Sequence, residues 1–290
     1  MIALDLWFIK IYRYGIFYAM SFVFGYFLIK YITKYMYQNH SATPKIANLY
    51  RQIYKDIDDI IVYIAMWVIV WGRLGEVLIY NISYYIANPI KILYLQDGGM
   101  SFVGGFLWVM IAIFYYKYIK KLSFDQILVV FDLIVLILPI GIVLGRLGNF
   151  LNQELIGQTI NNIYQKYNLT STPGEMLAIA QNCLNSGFCH IYDRVDSQIR
   201  LNSNLLEWLL EWILTWVIGI WIWLKSYQNH PRPGYITGIF MIIYSICRYI
   251  LENFRDNPSS EYIYGLLKSQ LWMIWFCLFG IWLVSRKKYL

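Results

Sequence analysis

Gly145-Arg146-Leu147-Gly148-Asn149-Phe150-Leu151-Asn152-Gln153-Glu154-Leu155-Ile156-Gly157 follows an apolar run, Phe131 to Leu144, that a single charge, Asp132, interrupts. An arginine therefore stands near the end of a helix long and apolar enough for the hydrocarbon core of a bilayer. At the centre of such a helix an arginine costs about 2.5–3.5 kcal/mol on insertion scales. Near the end its long stem reaches the interface and the cost falls. The plain reading is a snorkelling arginine that marks a helix end. Against it stand Asn149, Asn152 and Glu154, spaced by glycines within eight residues of Arg146. A guanidinium offers a planar fork of donors that suits phosphate or carboxylate oxygens, and here the fork lies at phospholipid headgroup depth.

The rest of the chain has the same character. Of its 290 residues 59% are hydrophobic and 14% charged, whereas a soluble domain carries about 25% charge. The reading is an all-α integral membrane protein. The positive charges behind the net +7 lie mostly in loops between apolar spans. They are read as topology, not as a nucleic-acid surface. The 12 Trp and 27 Tyr suit interfacial belts. Four cysteines show no metal spacing, no cofactor is expected, and no cleavable signal peptide is evident in the first span.

Seven spans are predicted: Tyr14–Tyr35, Ile57–Tyr80, Phe102–Tyr116, Ile127–Leu151, Leu205–Leu224, Tyr235–Phe254 and Leu266–Val284. Thirteen lysines and arginines flank them on one side and eight on the other. The richer side is cytoplasmic, so the N-terminus lies outside and the C-terminus inside. The expected organisation is spans one to four with a Gly-rich outer loop over 1–151, a small extracytoplasmic cap over 152–204, and spans five to seven over 205–290. Cys183 and Cys189 lie in that cap with five residues between them, as a disulfide or as two thiols. His190 reads as a surface residue. Glu207 and Glu211 share a helix face.

Two further patterns bear on chemistry. Gly72-Arg73-Leu74-Gly75 repeats the tetrapeptide Gly145-Arg146-Leu147-Gly148; helix packing accounts for its glycines on the plain reading. Tyr244, Arg248 and Glu252 share one face of the sixth span. Either Arg248 and Glu252 simply pair, or Arg248 converges with Arg146 at headgroup depth. Asp97-Gly98-Gly99-Met100-Ser101-Phe102-Val103-Gly104-Gly105 leads into the third span, with glycines that permit tight turns or close ligand approach.

Together these residues resemble the phosphatidylglycerol–prolipoprotein diacylglyceryl transferases of bacteria. Gly145 to Gly157 is similar throughout to the family signature G-R-x-G-N-F-x-N-x-E-x-x-G. Arg13-Tyr14-Gly15, Gly72 to Gly75, Asp132, Pro139 and Gln270 resemble further family positions. Tyr244, Arg248, Glu252, Phe254, Arg255 and Pro258 resemble Y-x-x-x-R-x-x-x-E-x-F-R-x-x-P. The chain departs from the family where Val103 replaces the histidine of G-G-M-S-F-H-G-G. It departs again where Leu201 to Glu207 replaces H-P-S-Q-L-Y-E, and Glu76 stands where a tyrosine is usual.

The resemblance implies a multi-pass enzyme of the bacterial cytoplasmic membrane. It would move the diacylglyceryl group of phosphatidylglycerol to the lipobox cysteine of a prolipoprotein signal peptide, releasing glycerol phosphate. Arg146 and Arg248 would clamp the phosphate, Glu154 and Glu252 would orient them, and Glu154 would accept the thiol proton. Tyr14, Asn149, Asn152, Gly157, Tyr244, Arg73, Gly98, Gly99, Gly104 and Asp132 would line the lipid and substrate site. Two other readings remain: a diverged, non-catalytic homologue that binds anionic lipid or a signal helix, and a transporter. A transporter needs a polar path across the whole membrane, whereas the polar residues here gather in the outer half, apart from Asp132 and the Asp58-Asp59 pair near the inner face.

Overall fold

The computed structural model describes residues 2–6, 9–39, 44–94, 102–214, 216–217, 219–221, 232–257, 262–263 and 265–286. It is mostly helical. Among the described residues four helices are long and apolar enough to cross a membrane: Ala47–Leu78, Phe124–Asn152, Tyr235–Phe254 and Lys268–Ser285. The chain divides into two compact units, residues 1–137 with 289–290, and residues 138–288.

In the first unit a hairpin of β1 (Ile2–Leu6) and β2 (Ile9–Tyr12) precedes helix α1 (Arg13–Asn39). Helix α2 (Pro44–Gly75) packs against α1 and against α4 (Phe102–Ile119). Between them α2 widens into a π-type turn (Glu76–Tyr80), followed by a short α3 (Ile82–Ala87) and a 3-10 turn (Pro89–Leu93). Val23, Phe24, Phe27 and Tyr31 of α1 are exposed, whereas Ile29, Ile32 and Met36 are buried. An exposed apolar face of that size is what a lipid-facing helix presents. Between α1 and α2, Lys30 pairs with Asp58 at 2.9 Å, and Tyr26 donates to the same carboxylate at 2.6 Å. Asp132, on α5, is buried.

Helix α5 (Phe124–Asn152) runs into the second unit and ends in a Schellman turn. The Glu154 N–H reaches the Asn149 carbonyl at 2.9 Å, the Gln153 N–H reaches that of Phe150 at 3.0 Å, and Gln153 takes a φ of 59°. A polar segment follows. Thr159 caps α6 (Ile160–Lys166), and a reciprocal Thr172–Glu175 capping box starts α7 (Pro173–Asn185). Hydrogen bonding by the Thr172 backbone and hydroxyl holds the Glu175 carboxyl below the usual range. A hairpin of β3 (Cys189–Ile191) and β4 (Ile199–Leu201) comes next. Cys183 and Cys189, which the sequence left as thiols or a bond, form a disulfide joining α7 to β3. It sits in a small core with Ile160 and Ala180.

Asn202 caps α8 (Ser203–Glu207), which widens into a π-type turn, Trp208–Leu214. The unit closes with α9 (Tyr235–Leu251) and α10 (Lys268–Ser285), preceded by a small hairpin of β5 (Tyr262–Ile263) and β6 (Leu266–Leu267). Helices α9 and α10 cross at two glycines. A Cβ added at Gly238 would lie 2.8 Å from the Gly280 carbonyl oxygen, and one at Gly280 2.7 Å from that of Gly238. Small residues at a crossing let backbones meet in this way. Gln270 fixes the start of α10, accepting from the Leu267 N–H and donating to the Tyr249 carbonyl.

Candidate active site

The stretch after α5 assembles the site by backbone hydrogen bonding. Ile156 to Thr159 is extended and lies between two other strips of chain. On one side the Gln158 N–H donates to the Phe254 carbonyl at 2.9 Å and the Asp256 N–H to that of Ile156 at 3.1 Å. On the other the Leu201 N–H donates to the Gln158 carbonyl at 3.0 Å. Gly157 is required here, because a Cβ would collide with the Leu201 carbonyl oxygen.

Arg200 ties the three strips together. It donates to the Gly157 carbonyl at 3.0 Å, to Asp256 at 2.7 Å and to Asp196 at 2.5 Å. Its guanidinium holds the Asp196 carboxyl below the usual carboxylate range.

A second clamp acts on the turn itself. The Ser203 hydroxyl donates to the Leu155 carbonyl at 2.8 Å, and the Asn204 amide donates to that of Glu154 at 3.0 Å. Leu155 holds a φ of 52°, a conformation rare for a bulky side chain. The end of α5, the start of α8 and the end of α9 are thus joined within a few residues of one another.

Three arginines and three glutamates meet where these ends converge. Arg146 lies 2.8 Å from Glu207 and 3.5 Å from Glu211. Arg248 lies 2.9 Å from Glu207, 3.3 Å from Glu211 and 2.7 Å from Glu252. Arg255 lies 3.5 Å from both Glu207 and Glu252. Arg146 and Arg248 do converge, and they do so on shared carboxylates. Glu207 and Glu211 are fully enclosed, whereas the Arg146 side chain keeps 13% of its surface and that of Arg248 10%. The charges of the six side chains cancel, as burial demands.

The contacts of Glu207 lack hydrogen-bond geometry, and both its oxygens are buried without an aligned donor. Its role is to balance charge, leaving the planar forks of Arg146 and Arg248 less firmly directed than a bidentate pair would leave them. Tyr244, one turn before Arg248, stacks on Phe240 with ring centroids 5.7 Å apart. Asn149 is buried on α5, one turn after Gly145.

The other residues singled out by sequence fall as follows. Glu154 is exposed beside Asn152, whose amide approaches it at 3.4 Å. The counter-charges of Arg146 are instead Glu207 and Glu211. Arg73, in the first unit, donates to the carbonyls of Ile92 at 3.0 Å, Lys91 at 2.6 Å and Tyr94 at 3.0 Å. Tyr14 lies on α1 and Gly104 on α4, while Gly98 and Gly99 fall outside the described residues. Sequence reasoning put Glu207 and Glu211 on one helix face without assigning them to the site, and it had Arg255 only as part of a pattern. Two acidic residues four apart in an apolar span were the available signal, since such charges need buried partners.

Comparison with known proteins gives this geometry a context. Residues 1–286 match the family model described as prolipoprotein diacylglyceryl transferase. A phosphatidylglycerol–prolipoprotein diacylglyceryl transferase of Polynucleobacter asymbioticus is 35% identical over 239 residues, 80% of this chain and 78% of that protein. Proteins of the same name from Ralstonia pickettii and Francisella tularensis subsp. holarctica are 33% and 31% identical. They cover 76% and 91% of this chain, and 71% and 83% of their own lengths. With a matched signature, helices apolar enough for membrane spans and a buried arginine cluster at the signature's heart, the chain belongs to the prolipoprotein diacylglyceryl transferase family of membrane transferases.

Proposed function

We propose that this chain transfers the diacylglyceryl group of phosphatidylglycerol to the thiol of a prolipoprotein lipobox cysteine and releases glycerol phosphate. It acts as a seven-span protein of the bacterial cytoplasmic membrane, with residues 152–204 as an extracytoplasmic cap. The observation that carries this reading is the convergence of Arg146 and Arg248 on shared carboxylates at the end of the signature helix.

The reaction is displacement at a glyceryl carbon with a phosphodiester oxygen leaving, so negative charge grows on the phosphate as the C–O bond breaks. Preorganised cations in a water-poor site stabilise that charge most effectively. Arg146 and Arg248 present their forks to the phosphate, and Asn149, on the same helix as Arg146, adds a donor. The cluster is neutral when empty, so the lipid phosphate brings one negative charge too many. The phosphate therefore draws the arginine donors away from Glu207, whose contacts lack hydrogen-bond geometry, while Glu252 keeps its hold on Arg248. Tyr244, one turn before Arg248, lines the way for the lipid.

The test is purified protein in phosphatidylglycerol vesicles with a lipobox peptide, read by mass spectrometry of the cysteine. A diacylglyceryl mass shift that disappears in Arg146→Ala is the expected result. A protein that binds phosphatidylglycerol but leaves the cysteine unmodified is a binding homologue, the reading that Val103 in place of the family histidine favours.

A further inference from the structure

Transfer to a thiol needs a base, and the arginine cluster is poorly suited to supply one. A free thiol titrates near 8.5 and an ordinary carboxylate near 4, a poor match for proton transfer. Glu207, Glu211 and Glu252 are all enclosed and spent on guanidinium groups. A proton placed on any of them would remove the counter-charge of an arginine. Val103 brings no proton acceptor to its position.

Among the described residues the one imidazole is His190, on β3. It is not a free surface group. Its ring centroid lies 5.0 Å from that of Phe150 and 5.0 Å from that of Tyr192, and a Phe150–Tyr192 separation of 6.4 Å closes the triangle. Phe150 is four residues after Arg146 and shares its face of α5, one turn of about 5.4 Å further along. On the other side Tyr192 is fully enclosed, and its hydroxyl points to Asn202 at 3.5 Å and feels the charge of Glu207. Burial pushes that hydroxyl up to about 12, so Tyr192 is a neutral neighbour. The charged residue opposite His190 on β4 is Arg200, which Asp196 and Asp256 already balance. His190 is thus gripped between a ring of the signature stretch and a ring that abuts the cluster, and it stays half-exposed where the glutamates are closed.

We propose that His190 is the general base of this chain, taking the proton from the acceptor thiol; this rests on the transferase reading above. The S–H bond breaks as an imidazole nitrogen accepts its proton. The thiolate forms an S–C bond to the glyceryl carbon, and the C–O bond breaks with its electron pair passing to the phosphate held by Arg146 and Arg248. The imidazolium then returns the proton to the released glycerol phosphate. Imidazole is the side chain most often used to take and return a proton in this way.

The experiment measures lipobox-peptide modification in phosphatidylglycerol vesicles from pH 5 to 9, for the parent chain and for His190→Gln. The expected result is a rate that falls toward the acid end of that range in the parent. His190→Gln should lose about 100-fold or more in kcat, lose that acid limb, recover part of its rate with added imidazole, and still bind phosphatidylglycerol. An active parent with His190→Gln within twofold of it, or with the acid limb retained, overturns the assignment and leaves the transferase reading intact. An inert parent overturns both. If His190→Gln fails to fold, a chain carrying His40→Gln and His230→Gln replaces it, since His190 is then the sole histidine. Carbethoxylation that leaves that chain fully active overturns the assignment, and inactivation reversed by hydroxylamine supports it.

Discussion

The tetrapeptide Gly-Arg-Leu-Gly occurs twice, each time late in a long helix, and its arginine is used in two unlike ways. Arg73, in α2, is buried and donates to three backbone carbonyls, those of Lys91, Ile92 and Tyr94, with its guanidinium 5.1 Å from the Tyr85 ring. It supplies donors to the end of the 3-10 turn Pro89–Leu93, where the Lys91 carbonyl also accepts from the Tyr94 N–H at 3.2 Å. Arg146, in α5, meets only carboxylates, Glu207 and Glu211, among the described residues. The first arginine organises chain; the second is held as charge, in a cluster that an anion can rebalance. What separates them is the sequence that follows. After Gly75 comes a short turn rich in backbone acceptors, and after Gly148 comes a strand that draws in α8 and the π-type turn after it, with one glutamate on each.

That contrast is sharpest in activity. Arg146→Ala removes a donor from the phosphate and should lower transfer by about 100-fold or more, measured with the vesicle assay on protein that still inserts. Arg146→Lys should recover little, because an ammonium lacks the planar fork. Arg73→Ala should leave the turnover of correctly folded protein within a fewfold of the parent. Comparable turnover losses at both positions would break the distinction.

In stability the order changes. Glu207→Ala leaves three buried arginines facing two carboxylates and should cost about 3–5 kcal/mol, read as detergent thermal unfolding. Combining it with Arg146→Ala restores the charge count, so the double variant should be less destabilised than the sum of the single changes. Additive losses would show that the cluster does not act as one unit. Arg73→Lys loses the simultaneous capture of three carbonyls and should cost about 1.5–3 kcal/mol, the range for hydrogen bonds to a charged group.

The smallest effect concerns the strand that separates the two arginines' fates. Asp196 has its carboxyl held down by Arg200, so its folded pKa lies below the unfolded value of about 3.9. Its contribution is complete above that value and is lost as pH falls through the lower, folded one. Hydrogen exchange at the Leu201 amide, bonded to the Gln158 carbonyl, should therefore rise in acid beyond its intrinsic rate, and Asp196→Asn should remove that extra rise. Unchanged protection in Asp196→Asn at neutral pH would mean that Asp256 alone secures Arg200.

Much of this was legible in the residues. The apolar run from Phe131 to Leu144, the arginine at its end and the i, i+4 pair Arg248 and Glu252 were sufficient to place two arginines at one depth. Glu207 and Glu211 were visible as a shared face, but periodicity does not say what a face meets when its partner lies 60 residues earlier. The clamps made by Ser203 and Asn204 were not legible at all, because their targets are carbonyls and every residue has one. The same holds for the second tetrapeptide: four identical letters carry no trace of whether carboxylates or peptide oxygens will surround the arginine. His190 looked like a surface residue because its ring neighbours, Phe150 and Tyr192, come together only when the β3–β4 hairpin folds back on α5.

The strand Ile156–Thr159 also sets an order of assembly. Its partner on one side, Leu201, follows about forty residues later in synthesis, but its partner on the other side, Phe254 to Asp256, follows about a hundred residues later. Until that last piece is made, the Gln158 amide lacks its acceptor and Arg200 lacks one of its two carboxylates. Before Arg248 and Arg255 are made, Glu207 and Glu211 face one arginine instead of three. The nascent protein thus carries its acidic pair under-neutralised until α9 and the residues after it arrive, and the arginine site closes as one of the final events of biogenesis rather than growing stepwise with the chain.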